Sequence, residues 1–129
     1  MEWKSFEMRQ FYILILAFFL YSCTKQFQYI TVEEFNSFFD NEFELIDVRT
    51  AEEFQSGHIV GAINIDFLSP NFIDEIKDID SNLNLIIYCR TDNRSSKSAK
   101  ILVDHNYKNI HVIKGGIEEW ISQGNTISF

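Results

Sequence analysis

Seven consecutive residues have the types and spacing to do chemistry: Cys89-Arg90-Thr91-Asp92-Asn93-Arg94-Ser95. They lie between an apolar run, Leu85-Ile86-Ile87-Tyr88, and a segment of helical pattern that begins at Ser95. A cysteine that ends a buried strand in a short polar loop opening onto a helix N-terminus is placed to be a thiolate. The loop N–H groups and the positive end of the helix dipole both favour negative charge there. The thiolate is the reactive form, so the placement describes a nucleophile. A cysteine ending an apolar strand is also a common small core residue, and type alone does not separate the two readings. The composition of the loop bears on the choice. Two arginines, a threonine, an asparagine and a serine surround the sulfur with donors and positive charge, which lowers a thiol pKa. Asp92 acts in the opposite sense, and Arg90 and Arg94 offset it.

The elements that must position this loop can be read from hydrophobic periodicity. Short apolar runs alternate with helical patterns, the mark of an α/β domain with a largely parallel sheet. Strands are expected near Phe27–Ile30, Phe43–Val48, Ala62–Ile65, Leu83–Tyr88 and Ile110–Ile113. Thr31 with Glu34, and Thr50 with Glu53, form capping boxes that open two helices. Val32, Phe35, Phe38 and Phe39 fall on one face of the first, and Gly57 is suited to end the second in a left-handed conformation. Ser69-Pro70 reads as the N-cap and first position of a helix carrying Phe72, Ile73 and Ile76. Ala99, Leu102 and Val103 share a face of the helix from Ser95 to about His105. Ile117, Trp120 and Ile121 face the core from a last helix before Gly124. In open parallel sheets ligands bind beyond the carboxyl ends of strands, where the loop after Tyr88 must sit.

Three motifs in order resemble those of the rhodanese-like family. Leu45-Ile46-Asp47-Val48-Arg49, Glu52-Glu53-Phe54 and Gly57-His58-Ile59-Val60-Gly61-Ala62-Ile63-Asn64-Ile65 are similar to its N-terminal signature. Tyr88 to Ser95 resembles its active-site loop, and Lys114-Gly115-Gly116-Ile117-Glu118-Glu119-Trp120 its C-terminal signature. The resemblance covers roughly residues 29 to 128. It implies a five-stranded, mostly parallel sheet flanked by helices on both faces. It also implies a sulfurtransferase in which Cys89 carries a persulfide, cradled by Arg90, Thr91, Asp92, Asn93, Arg94 and Ser95, with Arg94 orienting an anionic sulfur donor such as thiosulfate. The acceptor would be cyanide, a small thiol or a protein thiol, and no cofactor or metal is required. The chain departs from the pattern at Asp92, where similar loops often carry glycine. Aspartate tolerates a left-handed backbone better than most residues, so the loop is expected to keep its shape.

A chain of 129 residues with 46% hydrophobic content fits one domain. Its net charge of −8 argues against a nucleic-acid partner, which would require a clustered basic face. Residues 1–22 read as a targeting segment: Lys4 and Arg9 precede an apolar run from Phe11 to Tyr21. That run falls short of the roughly 20 residues that span a bilayer and suits a secretory signal peptide. Leu20-Tyr21-Ser22-Cys23 resembles a bacterial lipoprotein processing site, with Cys23 as the lipidated first residue of a mature domain spanning 23–129. An uncleaved N-terminal anchor is the other reading. Either implies tethering at the cell envelope, facing the periplasm or exterior, and a monomer is expected. With Cys23 lipidated, Cys89 has no thiol partner for a disulfide, and no zinc-ligand spacing is present.

Other candidates have structural readings. Asp47 and Arg49 are expected to form an ion pair fixing a strand end. His58 belongs to a turn, and His105 and His111 share no ligand spacing. Glu33-Glu34 and Glu52-Glu53 are helix-start carboxylates. Gly115-Gly116 lacks phosphate-loop context and is expected to let the chain pass close to the Cys89 loop. Two rival functions remain open. One is a non-enzymatic binding or sulfide-sensing module. The other is a cysteine-dependent phosphatase or arsenate reductase, whose loops resemble C-x5-R, whereas the spacing here is C-x4-R.

Overall fold

The computed structural model describes residues 8–13, 15, 26–38 and 40–129. Residues 8–13 and 15 are helical and exposed. Cys23 and most of the expected signal segment lie outside the described residues. Among the described residues no helix is long and apolar enough to cross a membrane.

The elements run β1 (Gln28–Ile30), α1 (Val32–Phe35), β2 (Phe43–Asp47), α2 (Ala51–Gln55), β3 (His58–Ile59), β4 (Ile63–Asn64), α3 (Phe72–Ile76), β5 (Asn84–Tyr88), α4 (Asn93–Asp104), β6 (Asn109–Ile113), α5 (Gly116–Ser122) and β7 (Ile127–Ser128). Five strands form one sheet in the order β1–β6–β5–β2–β4, with every neighbouring pair parallel. β5, which leads into Cys89, is central, with both faces covered, as its unbroken apolar run requires.

Strand alternation divides the core between the two faces of the sheet. Leu85, Ile87 and Cys89 project to one face, with Ile46, Val48, Ile110 and Val112, and meet Phe72 and Ile76 of α3 and Ala99 and Leu102 of α4. Ile86 and Tyr88 project to the other, with Leu45 and Ile113, and meet Val32 and Phe35 of α1 and Ile117 and Trp120 of α5. Helices therefore flank the sheet on both sides. Both capping boxes form: the Thr31 and Thr50 side chains accept from the Glu34 and Glu53 N–H groups, and each glutamate reaches back to its threonine N–H.

The structure departs from expectation in three places. Pro70 does not open α3: the Ser69 side chain accepts from the Asn71 N–H at 3.1 Å, and the helix starts at Phe72. The hydroxyl closes a local turn first, in competition with the helix cap. α4 begins at Asn93, two residues before Ser95, so the last two residues of the expected loop, Asn93 and Arg94, are helical first turn. A small antiparallel pair, β3 with β7, ties Ile59 to Ile127. Strands of two residues carry no periodic signal, and their pairing depends on the closed fold.

Candidate active site

The strand alternation that sends Ile87 towards α4 also sends Cys89 there. Cys89 is a free thiol and only 1% exposed. Its Sγ lies 3.3 Å from Oγ of Ser95, which is in the first turn of α4 and fully buried. The Ser95 hydroxyl also lies within donating distance, 3.2 Å, of the Asp92 carbonyl. The hydroxyl can accept from the Cys89 thiol while donating to that carbonyl, or turn its one proton to the sulfur when that is ionised.

The helix start beside the thiol is uncapped by any side chain. The first N–H groups of a helix have no intrahelical acceptor, and an aspartate at the N-cap usually satisfies one. Asp92 occupies the N-cap of α4 but makes no such bond. Its carboxylate accepts the Gly115 N–H at 2.7 Å instead. The amides of Asn93, Arg94 and Ser95 are left to an anion at Cys89, and the dipole acts in the same sense. Asp92 is also not left-handed, contrary to expectation: its φ is −132°. An aspartate stands here because its side chain spans to the next loop, which glycine could not do.

That next loop, Lys114-Gly115-Gly116, sets the orientation of the Cys89 loop. The carbonyls of Cys89 and Arg90 accept from the N–H groups of Ile117 and Glu118, at 2.9 and 3.2 Å. In a trans peptide the carbonyl and the following N–H point in opposite directions. With these carbonyls drawn towards α5, the N–H groups of Arg90 and Thr91 are directed away from it, towards the face where Cys89 packs. The approach is possible only because residue 116 is glycine. A Cβ there would lie 2.5 Å from the Thr91 carbonyl oxygen, 2.7 Å from that of Arg90, and closer still to that of Cys89. The expected close passage of Gly115-Gly116 is present.

The two arginines have carboxylate partners that the sequence did not indicate. Arg94 grips Glu53 through both terminal nitrogens, at 2.6 and 2.8 Å, in a partly buried pair. The Arg94 hydrogen bond holds the Glu53 carboxyl at about 2, well below the usual range, and Glu53 in turn raises Arg94. Arg90 is exposed and pairs with Glu118 at 2.6 Å. The guanidinium expected to meet a donor anion is therefore held by Glu53. The cradle that remains for an anion is main chain.

Asp47 and Arg49 form the expected ion pair, at 2.6 Å and essentially buried. The same guanidinium donates to the Gly57 carbonyl, and Asn64 donates to the carbonyls of Asp47 and Arg49. This network braces the carboxyl ends of β2 and β4 beside β5. Tyr88, whose phenol burial pushes far up, accepts from the Ile59 N–H at 3.0 Å. His58 stacks on Phe54 and bonds its carbonyl, and His105 bonds the Ile101 carbonyl. His111 packs against Phe38 with Nδ1 unpartnered among the described residues. No group of His, Cys, Asp or Glu among the described residues is arranged to hold a metal ion.

Fold and site together define a cysteine-loop α/β domain, with one thiol at the carboxyl end of a central parallel strand and a helix start open to an anion. The chain belongs to the rhodanese-like family, whose model matches residues 31–123. It is 30% identical over 95 residues to the thiosulfate sulfurtransferase GlpE of Pseudomonas savastanoi pv. phaseolicola, covering 74% of this chain and 88% of that protein. It is 34% identical over 102 residues to the adenylyltransferase and sulfurtransferase UBA4 of Meyerozyma guilliermondii, of whose length it spans 24%. The fold is similar to that of a rhodanese-related protein from Thermoplasma volcanium, with a TM-score of 0.70, 24% identity, and 78% and 97% of the two chains covered.

Proposed function

We propose that the protein is a sulfurtransferase that carries sulfane sulfur as a persulfide on Cys89. The observation that carries this reading is the thiol lying against a helix start whose own cap side chain is turned away. The Cys89 thiolate attacks the outer sulfur of a donor such as thiosulfate. A Cys89 S–S bond forms, the donor's S–S bond breaks, and its electron pair leaves with sulfite. The terminal sulfur, bearing one negative charge, rests among the N–H groups of the loop and the first turn of α4. A nucleophile (cyanide or a thiolate) then takes that sulfur and returns Cys89 as thiolate. The two half-reactions predict ping-pong kinetics. In this reading the domain is tethered by lipid on Cys23 at the bacterial cell envelope and works as a monomer. Labelling with radioactive palmitate, lost in Cys23→Ala, checks the tether.

Intact mass of the purified chain after incubation with thiosulfate, without reductant, tests the chemistry. The expected result is a gain of one sulfur atom, absent in Cys89→Ser and removed by cyanide. A second reading, a module that binds or senses sulfide without turnover, is favoured by the 1% exposure of Cys89. Its signature is a persulfide that forms and is never passed on. The phosphatase reading loses support from the geometry, since Arg94 is engaged by Glu53.

A further inference from the structure

We infer that Glu53 and Glu118 are specificity-determining residues that bias the site towards sulfane-sulfur donors of lower negative charge, so that a dianion such as thiosulfate loads Cys89 more slowly than a monoanion does. The inference rests on the sulfurtransferase reading and adds the charge class of the donor.

The loop and the first turn of α4 contribute two cations, Arg90 and Arg94. Each is matched by a carboxylate from a distant element: Glu118 from α5, and Glu53 from α2. Asp92 adds a third carboxylate, engaged with the Gly115 N–H. These five groups together carry a net of one negative charge, within a chain of net charge −8. A free arginine pair would favour a dianion; this arrangement does not. The main-chain amides remain, and they suit one negative charge at the terminal sulfur.

The two pairs differ in weight. Arg90 and Glu118 are largely solvent-exposed, at 69% and 51%, so water screens that pair. Arg94 and Glu53 are more enclosed, at 21% and 32%, and doubly bonded. Glu53 is itself immobilised, because the same Oε2 accepts from the N–H and hydroxyl of Thr50. The carboxylate that caps α2 thus fixes the arginine of α4: Glu53 cannot turn away without breaking the capping box, and Arg94 cannot without giving up both bonds to Glu53. Burial and preorganisation assign the larger effect to Glu53.

The test compares two donors that deliver the same sulfane sulfur. Thiosulfate carries two negative charges and releases sulfite; methanethiosulfonate carries one and releases methanesulfinate. The rate of persulfide formation on Cys89 is measured by intact mass for each, in the wild-type full-length chain, Glu53→Gln and Glu118→Gln. Glutamine also serves in a capping box, so α2 keeps its start in the first variant. Glu118 is exposed and outside the caps, which makes the second variant independent of folding at Glu53. The expected result is a rise of roughly threefold to tenfold in the thiosulfate-to-methanethiosulfonate rate ratio in Glu53→Gln, from one unit of charge acting near the protein surface. A smaller rise is expected in Glu118→Gln, and both should shrink at high salt. An unchanged ratio in both variants, with both donors still loading sulfur, overturns the inference and leaves the sulfurtransferase reading intact. Loading by neither donor in the wild type overturns both.

Discussion

Replacing Gly116 with alanine adds one methyl group, and the structure says what it meets. Three carbonyl oxygens, of Cys89, Arg90 and Thr91, lie within 2.7 Å of the new Cβ. All three belong to the main chain that shapes the cysteine loop, so no side-chain rotation relieves the contact. The loop must move away from α5, and the bonds from Ile117 and Glu118 to its carbonyls must lengthen or break. Residue 116 also has φ of +58°, where a non-glycine residue is strained. Left-handed strain of about 1–2 kcal/mol and a steric cost of about 1–3 kcal/mol together predict a loss of roughly 2–5 kcal/mol. That is a large share of the 5–15 kcal/mol typical of a domain.

Gly61→Ala carries the conformational cost without the clash. Gly61 has φ of +84°, and nothing lies within 4 Å of its Cβ direction. It should lose only the conformational part, about 1–2 kcal/mol. Urea denaturation of the wild type and both variants measures the difference, and intact-mass loading with thiosulfate reports the state of the loop. Gly116→Ala should be the less stable variant by at least about 1 kcal/mol and should load Cys89 more slowly, whereas Gly61→Ala should load normally. Equal stability of the two variants, or normal loading in Gly116→Ala, would refute the view that α5 holds the loop's amides in place.

Three further outcomes are expected. Asp47→Asn leaves Arg49 charged and nearly buried without its partner, and should cost about 3–5 kcal/mol by chemical denaturation; a loss under about 1 kcal/mol would contradict the bracing role of this pair. Asp92→Ala removes the acceptor for the Gly115 N–H and should cost about 1–2 kcal/mol and slow sulfur loading, while Asp92→Asn retains an acceptor oxygen and should load faster than the alanine variant. The Glu53 carboxyl titrates in the folded protein at about 2, below its ordinary 4.5. Its contribution is therefore complete above about pH 4.5 and disappears as pH falls through about 2. Glu53→Gln should flatten that acid limb of the stability profile, and an identical limb in both proteins would exclude the pair as its source.

Much of this molecule follows from local rules. The apolar run from Leu85 to Tyr88 had to be a strand covered on both faces, and period-two alternation then sends Cys89 to the α4 side with Ile87. Thr31–Glu34 and Thr50–Glu53 specify their helix starts within four residues, because the bonds that form them are local. The tight approach at Gly115-Gly116 was also legible, since paired glycines after a strand signal a close backbone passage. What the sequence left open is which long side chain meets which partner. Glu53 and Arg94 are 41 residues apart; only the adjacency of β2 and β5 brings the carboxyl ends of those strands, and the elements that follow them, side by side. A signal existed, because a capping-box glutamate just after a strand must sit at the carboxyl edge of the sheet. Its sheet neighbour, however, is fixed by strand order and not by spacing. The same holds for Asp92. As an N-cap residue it reads as a bond to its own helix, and tertiary packing offered the nearer, better-aimed Gly115 N–H. Local sequence therefore determined the cysteine, its strand and its helix. Tertiary structure alone decided the charge around the thiol, because ion pairs between elements depend on distances in the folded chain that no local pattern encodes.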